Sequence, residues 1–182
     1  MTVVVLAGGR STRFGADKLG APLRGSTVLE TLLDRLPADA PVVVVGDERP
    51  TRRRVVWTSE EPQGGGPLAA VLAGAGLVGT GLVAVVAGDM PDAAPAVDRL
   101  VDLLDAADAG VEAVVATDDE GVPNPLLAAY RTASLHARAA LPTAGVPARS
   151  LLDLPHVEVA VPGAASRDVD TPADLDAFEN GV

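Results

Sequence analysis

Short strands with no room for a wet face recur along this chain, and helical patterns separate them. The runs are VVVLA (3–7), PVVVVG (41–46), VVW (55–57), LVAVVAG (82–88) and EAVVAT (112–117), each bounded by Gly, Pro or Asp. Between them, TVLETLLDRL (27–36) places Val28, Leu29, Leu32, Leu33 and Leu36 on one helical stripe, and residues 95–107 repeat the spacing with Val97, Leu100, Val101 and Leu104. PLAAVLAGAGL (67–77) opens with proline at a first-turn position, where a helix tolerates it. Strands alternating with helices predict an α/β fold, a single-domain, doubly wound, mainly parallel sheet over residues 1–182 with ligands at the carboxyl ends of its strands. Hydrophobic residues make up 48% of the 182 and aromatics 2%, so the core must be built from Val, Leu and Ala, as in sheets buried on both faces. NPLLAAYR (124–131), the helix after it and HVEVAV (156–161) read as a peripheral hairpin or lid plus one more strand. At the end, Thr171 caps a helix over TPADLDAFE, with Pro172 in its first turn and Asp174 at the positive end of its dipole.

Charge and composition narrow the partners. A net charge of −11 argues against nucleic acid, which needs a basic footprint. No apolar run approaches a membrane span, and MTVVVLAGG, with no charged leading region, reads as a strand and not as a signal peptide. The absence of cysteine removes disulfides, thiolate metal sites and thiol nucleophiles, and suits a cytoplasmic setting. A polyphosphate ligand would have to be held against the bulk field by placed cations, backbone N–H groups or a metal ion. Arg10, Arg13 and Lys18 lie together in the first loop, where this is possible, whereas Arg52, Arg53 and Arg54 read as a solvated edge.

Lys18 is the only lysine among fourteen Lys and Arg residues, and it closes the glycine-rich loop LAGGRSTRFGADK that leaves the first strand. An ammonium is a point charge suited to one phosphate oxygen, where a guanidinium is a wide fork. Gly8 and Gly9 follow the strand directly and allow backbone N–H groups to approach a base and phosphates, or they simply make a tight turn. GGRSTRFGADK lacks Walker spacing, and GAGLVG (74–79) is a decoy for the dinucleotide fingerprint, since it ends a helix and leads into a strand.

Three further elements carry chemistry. EEPQGGGPLAA (60–70) sets three glycines before a helix start able to face an anion. Glu60 or Glu61 there either accepts hydrogen bonds from guanine N1–H and its amino group or is a solvated loop charge. VVAGDMP (85–91) ends a buried strand in Asp89, placed as a metal ligand and too far from the next helix to cap it. RDVDTP (167–172) offers Asp170 as a second metal ligand or a turn aspartate. His136 and His156 are read as structural or exposed.

Taken in order, LAGGRSTRFGADK, PQGGGPLAA, AGDMPD, NPLLAAY and DVDTPADL resemble the nucleotidyltransferase family that includes the molybdenum-cofactor guanylyltransferases. The resemblance covers Val3 to Phe178. It implies a GT-A-like fold, Mg²⁺ dependence, and transfer of a nucleoside monophosphate, GMP preferred, from NTP to a phosphate-bearing acceptor such as molybdopterin, with release of pyrophosphate. By the same resemblance Leu6, Ala7, Gly8 and Gly9 embrace base and ribose, Arg13 and Lys18 hold the triphosphate, Gly66, Pro67 and Leu68 form the base-side loop, and Asp89 binds magnesium. Arg13, Lys18 and Asp89 are then the catalytic set, with Asp170 beside Asp89 as metal ligand. Asp92 stands where the family has phenylalanine, and DVDTP is closer to cytidylyltransferase relatives than to the guanylyltransferase pattern, so a CTP-dependent enzyme is the alternative. A nucleotide-binding regulatory protein of weak activity is the second. Acceptor-delivery proteins or molybdoenzymes complete the expected partners.

Overall fold

A computed structural model describes residues 1–8, 14–61, 63–141, 143 and 146–180. Its centre is a sheet of β1 (Thr2–Leu6), β4 (Val42–Val45), β5 (Val56–Thr58), β6 (Leu82–Ala87), β7 (Ala113–Thr117), β8 (Pro123–Arg131) and β9 (His156–Ala160), with β2 (Pro22–Leu23) and β3 (Ser26–Thr27) forming a separate small hairpin. The large sheet runs β5-β4-β1-β6-β8-β7-β9. Strands β5, β4, β1 and β6 pair in parallel, β8 is antiparallel to both its neighbours, and β9 is parallel to β7. The expected α/β architecture with a mainly parallel sheet is therefore present.

The pleat sorts the core. Val3 and Val5 point to one face, covered by α1 (Val28–Arg35) and α3 (Ala94–Ala106), while Val4 points to the other, covered by α2 (Pro67–Ala75), α4 (Thr132–Ala139) and a 3₁₀ turn at Ala148–Asp153. Alternate residues of one strand thus serve two hydrophobic layers, the reason a run such as VVVL carries no polar position. A short helix α5 (Gly163–Ser166) and the terminal α6 (Pro172–Asn180) join the first layer through Ala165 and Phe178. Gly74 lies inside α2, where an added Cβ would stand 2.5 Å from Val4 Cγ1, so the GAGLVG string belongs to helix-on-sheet packing. Among the described residues no helix is long and apolar enough to cross a membrane.

Two expectations need correction. NPLLAAYR is not a peripheral hairpin or lid: it lies in β8, inserted between β6 and β7. Leu127, Ala128, Ala129 and Tyr130 are at most 1% exposed, and Tyr130 Oη donates to Pro125 O at 2.8 Å, so the strand's polar atom is satisfied internally. The chain turns back through Asp118, whose Oδ1 accepts the N–H groups of Glu120 and Val122 at 2.9 and 2.8 Å. The solvated edge expected of Arg52–Arg54 holds for the exposed Arg52 and Arg54 but not for Arg53. Arg53 donates to the carbonyls of Leu33, Leu36, Pro37 and Ala40, neutralising the negative end of α1, and Arg52 pairs with Glu30 at 2.9 Å and with Asp34.

Candidate active site

The carboxyl ends of β1, β4 and β6 meet at one edge, and β1 and β4 approach closely enough to require glycine. Gly46, just past β4, has φ +149°, and a Cβ there would lie 2.7 Å from Ala7 C and 2.9 Å from Gly8 N. Beside them opens a cleft of about 640 Å³, lined by Leu6 and Gly8, by Ser59, Glu60 and Gln63 beyond β5, by Gly66 and Pro67 at the start of α2, and by Asp89 and Leu126. That volume suits a nucleotide-sized ligand. A recess of about 70 Å³ adjoins it, sharing Leu6, Gly8, Asp47 and Asp89 and adding Ala7, Asp17, Lys18 and Arg49.

Lys18 lines the recess, and its partner Asp89 lines both spaces. The Lys18 Nζ lies 2.5 Å from Asp89 Oδ2 and 3.1 Å from Asp170 Oδ1, with Lys18 and Asp89 side chains each 17% exposed. Burial opposes the ammonium, yet the hydrogen bond and charge of Asp89, followed by those of Asp170, hold its pKa above the ordinary lysine value. Asp89 does not cap α3, whose N-cap is Ala93. Its carbonyl accepts the N–H of Val169 at 2.9 Å, which ties the end of β6 to the loop carrying Asp170.

That loop supplies a third carboxylate that sequence reasoning missed. Asp168, Asp89 and Asp170 each offer an oxygen within 4.8 Å of the others. Partial desolvation first, and then the charges of Asp89 and Asp170, push the Asp168 carboxyl above its ordinary pKa. Three hard oxygen donors at a strand end fit a divalent cation such as Mg²⁺. The signal was available in DVD, since both aspartates flank the buried Val169 and so emerge from one anchored turn. Asp174 fixes the turn further, its Oδ2 accepting the N–H groups of Asp170 and Thr171 at 2.9 and 2.6 Å and the Thr171 hydroxyl at 2.9 Å. The expected cap of the last helix is thus present and continuous with the site.

On the other side of the cleft, Gly64 and Gly66 take φ values of +82° and +90°, which favour glycine, and no side chain caps the α2 N-terminus that Gly66 opens. First-turn N–H groups there are placed to meet an anion. Glu60 lines the cleft, with Oε1 accepting Gly64 N–H at 3.1 Å, while Glu61 is exposed and outside the lining. Leu68 is fully buried among core residues, so its side chain serves packing and only its backbone faces the loop's task. Gly9 and Arg13 lie outside the described residues. Asp47 and Arg49, just beyond β4, were also missed, although the strand-end rule that found Asp89 applies equally to them. His136 Nε2 lies 2.9 Å from Ala75 O at the end of α2, and His156 Nδ1 lies 2.8 Å from Leu154 O, both away from the cleft lining.

Comparison with known proteins gives a consistent set of similarities. The sequence model of the MobA-like NTP transferase domain matches residues 3–159. A Bacillus cereus (strain Q1) protein named "Probable molybdenum cofactor guanylyltransferase" is 32% identical over 135 residues, 70% of this chain and 66% of that protein. One of the same name from Opitutus terrae is 40% identical over 94 residues, 48% of this chain and 46% of its own length. The matches thus span less than the whole of these relatives. Among solved structures, molybdopterin-guanine dinucleotide biosynthesis protein A from Archaeoglobus fulgidus superposes with a TM-score of 0.76 at 25% identity, covering 99% of this chain and 97% of that one.

Proposed function

The chain belongs to the MobA-like NTP transferase domain family, and on that footing we propose that it transfers GMP from GTP to a phosphate-bearing acceptor of the molybdopterin type, releasing pyrophosphate. The observation that carries this reading is the lone lysine of the smaller recess, paired with Asp170 and with Asp89, the carboxylate that lines both the recess and the large cleft. Leu6, Ala7 and Gly8, with Gly9, present backbone to base and ribose. Lys18, with Arg13, neutralises the charge that grows on the leaving pyrophosphate. Asp89, Asp168 and Asp170 would hold Mg²⁺, which when bound supplies further neutralisation of the phosphate oxygens. The acceptor's terminal phosphate attacks the α-phosphorus in line, the bond to the pyrophosphate oxygen breaks, and the protein positions the two groups. A phosphate monoester is largely ionised near neutral pH, so no strong general base is needed.

Guanine is favoured because Glu60 lines the cleft and a carboxylate has acceptor capacity beyond the Gly64 N–H for the N1–H and amino donors of that base. The second reading, CTP as donor, has a specific observation of its own: Asp168 and Asp170, the two acids that resemble cytidylyltransferase relatives, both join the carboxylate cluster. Purified protein given GTP or CTP with Mg²⁺ and molybdopterin should release pyrophosphate and form the dinucleotide faster with GTP. No release with either nucleotide overturns the transfer, and faster turnover with CTP overturns the choice of base.

A further inference from the structure

The two roles given above to Lys18 and to the carboxylates exclude one another in the conformation observed. Lys18 Nζ binds Asp89 Oδ2 and Asp170 Oδ1 at once, so among the described residues an ammonium already stands as a cation on this cluster. A divalent ion bound to the same two oxygens would have Nζ as its immediate neighbour, and two cations at contact distance repel. Free metal must therefore displace Lys18 from two ion pairs that are largely shielded from water, with Asp170 the more open at 35% exposed. A triphosphate changes this balance, because it offers the ammonium new oxygens while bringing the metal already neutralised.

We propose that the Asp89–Asp168–Asp170 cluster takes its divalent cation as the metal–nucleoside triphosphate complex and disfavours the free ion, with Lys18 leaving the carboxylates for phosphate oxygens as the complex arrives. This rests on the nucleotidyl-transfer reading and adds to it the form in which the metal enters. Lys18 suits the exchange chemically. Its charge is a single point on a flexible four-carbon stem, able to move between acceptors without matching a fixed fork. It also suits it by position, since the recess it lines shares Gly8 and Asp89 with the large cleft. Metal and nucleotide should then strengthen each other reciprocally.

Mn²⁺ binding followed by electron paramagnetic resonance, with and without GTP and with no acceptor present, tests this. Lys18→Met should bind Mn²⁺ alone at least about tenfold more tightly than wild type, and the gain from adding GTP should shrink. Arg49→Met removes a positive charge from the same recess while leaving the cluster's own partner in place, and should tighten Mn²⁺ binding far less. A Lys18→Met protein that binds Mn²⁺ no better than wild type, or no better than Arg49→Met, overturns the exchange. Asp89→Asn separates this from the parent reading: if it leaves Mn²⁺ binding unchanged both with GTP present and when added to Lys18→Met, the metal assignment itself fails. Because the chain has one lysine, ¹⁵N-lysine labelling gives one side-chain signal in the unmutated protein. That signal should stay fixed on adding Mg²⁺ alone and shift on adding Mg²⁺ with GTP; an equal shift with Mg²⁺ alone would also overturn the proposal.

Discussion

Asp89 and Asp92 follow the same strand three residues apart, are 17% and 16% exposed, and are both neutralised by cations from distant parts of the chain. Their partners differ in kind. Asp89 meets one ammonium shared with Asp170. Asp92 is held by both arms of Arg24, at 2.5 and 3.0 Å, and by Arg35. Arg24 is itself fixed: its Nη2 donates to Phe178 O at 2.9 Å, its backbone N–H donates to Glu179, and its guanidinium lies 6.0 Å from the Phe178 ring. It also carries a φ of +50° in the two-residue turn of the β2–β3 hairpin, a conformation a non-glycine residue keeps only when its surroundings hold it. One carboxylate is therefore part of a strut joining the hairpin, α1 and α6, and the other faces ligand space with a partner able to leave. Asp92 ties the hairpin and α6 to α1 by charge, outside the cleft lining.

The comparison can be broken by substitution. The largest effect is expected for Asp89→Ala, which should reduce transfer to background while far-ultraviolet circular dichroism and the melting temperature stay near wild type. Turnover within tenfold of wild type at saturating Mg²⁺ would show that the cluster does not need Asp89. Next comes Lys18→Arg, expected to lose about 2–4 kcal/mol of transition-state stabilisation in kcat/KM, nearly as much as Lys18→Ala, because a fork cannot make the exchange a point charge makes. An arginine variant with most of its activity would erase the distinction between the two ion-pair clusters. The smallest effect belongs to Asp92→Ala, which should cost roughly 1–3 kcal/mol of stability through unpaired Arg24 and Arg35. Chemical denaturation should show this loss, with Mn²⁺–GTP affinity at native temperature changed less than twofold.

The pH dependence of that last variant sharpens the contrast. Burial works against the Asp92 carboxylate, but the hydrogen bond and charge of Arg24, followed by Arg35, hold its pKa below the ordinary 3.8. A carboxylate lowered in the folded state contributes stability above its unfolded pKa and loses it as pH falls through the folded value. The stability gap between wild type and Asp92→Ala should therefore be full near neutrality and close in the acid range below about pH 4. A gap that stays constant down to acid unfolding would mean that Asp92 acts by packing and not by charge.

Some of this was legible in the residues. Unbroken apolar runs located β1, β4, β6 and β7, and period-3.6 hydrophobicity located helices α1, α2 and α3, each within a residue or two, while Thr171–Pro172–Asp174 announced α6 because a helix cap is a contact between neighbours. Asp89 was legible for a related reason, as a carboxylate ending a run buried on both faces. The sequence alone thereby determined the α/β class and the placing of one carboxylate at the cleft, since both follow from local patterning and the rule that ligands gather at strand ends. Tertiary structure alone decided the rest. It placed β8 inside the sheet, because Leu127–Tyr130 fit two buried faces whichever strands flank them. It chose Arg53 to close α1, Asp92 to bind Arg24, and, from the far end of the chain, Asp170 to meet Lys18 and Asp168 to approach Asp89. Such pairings depend on strand order and on which ends share an edge, and a hydrophobic period records which face of an element is buried but not what it is buried against.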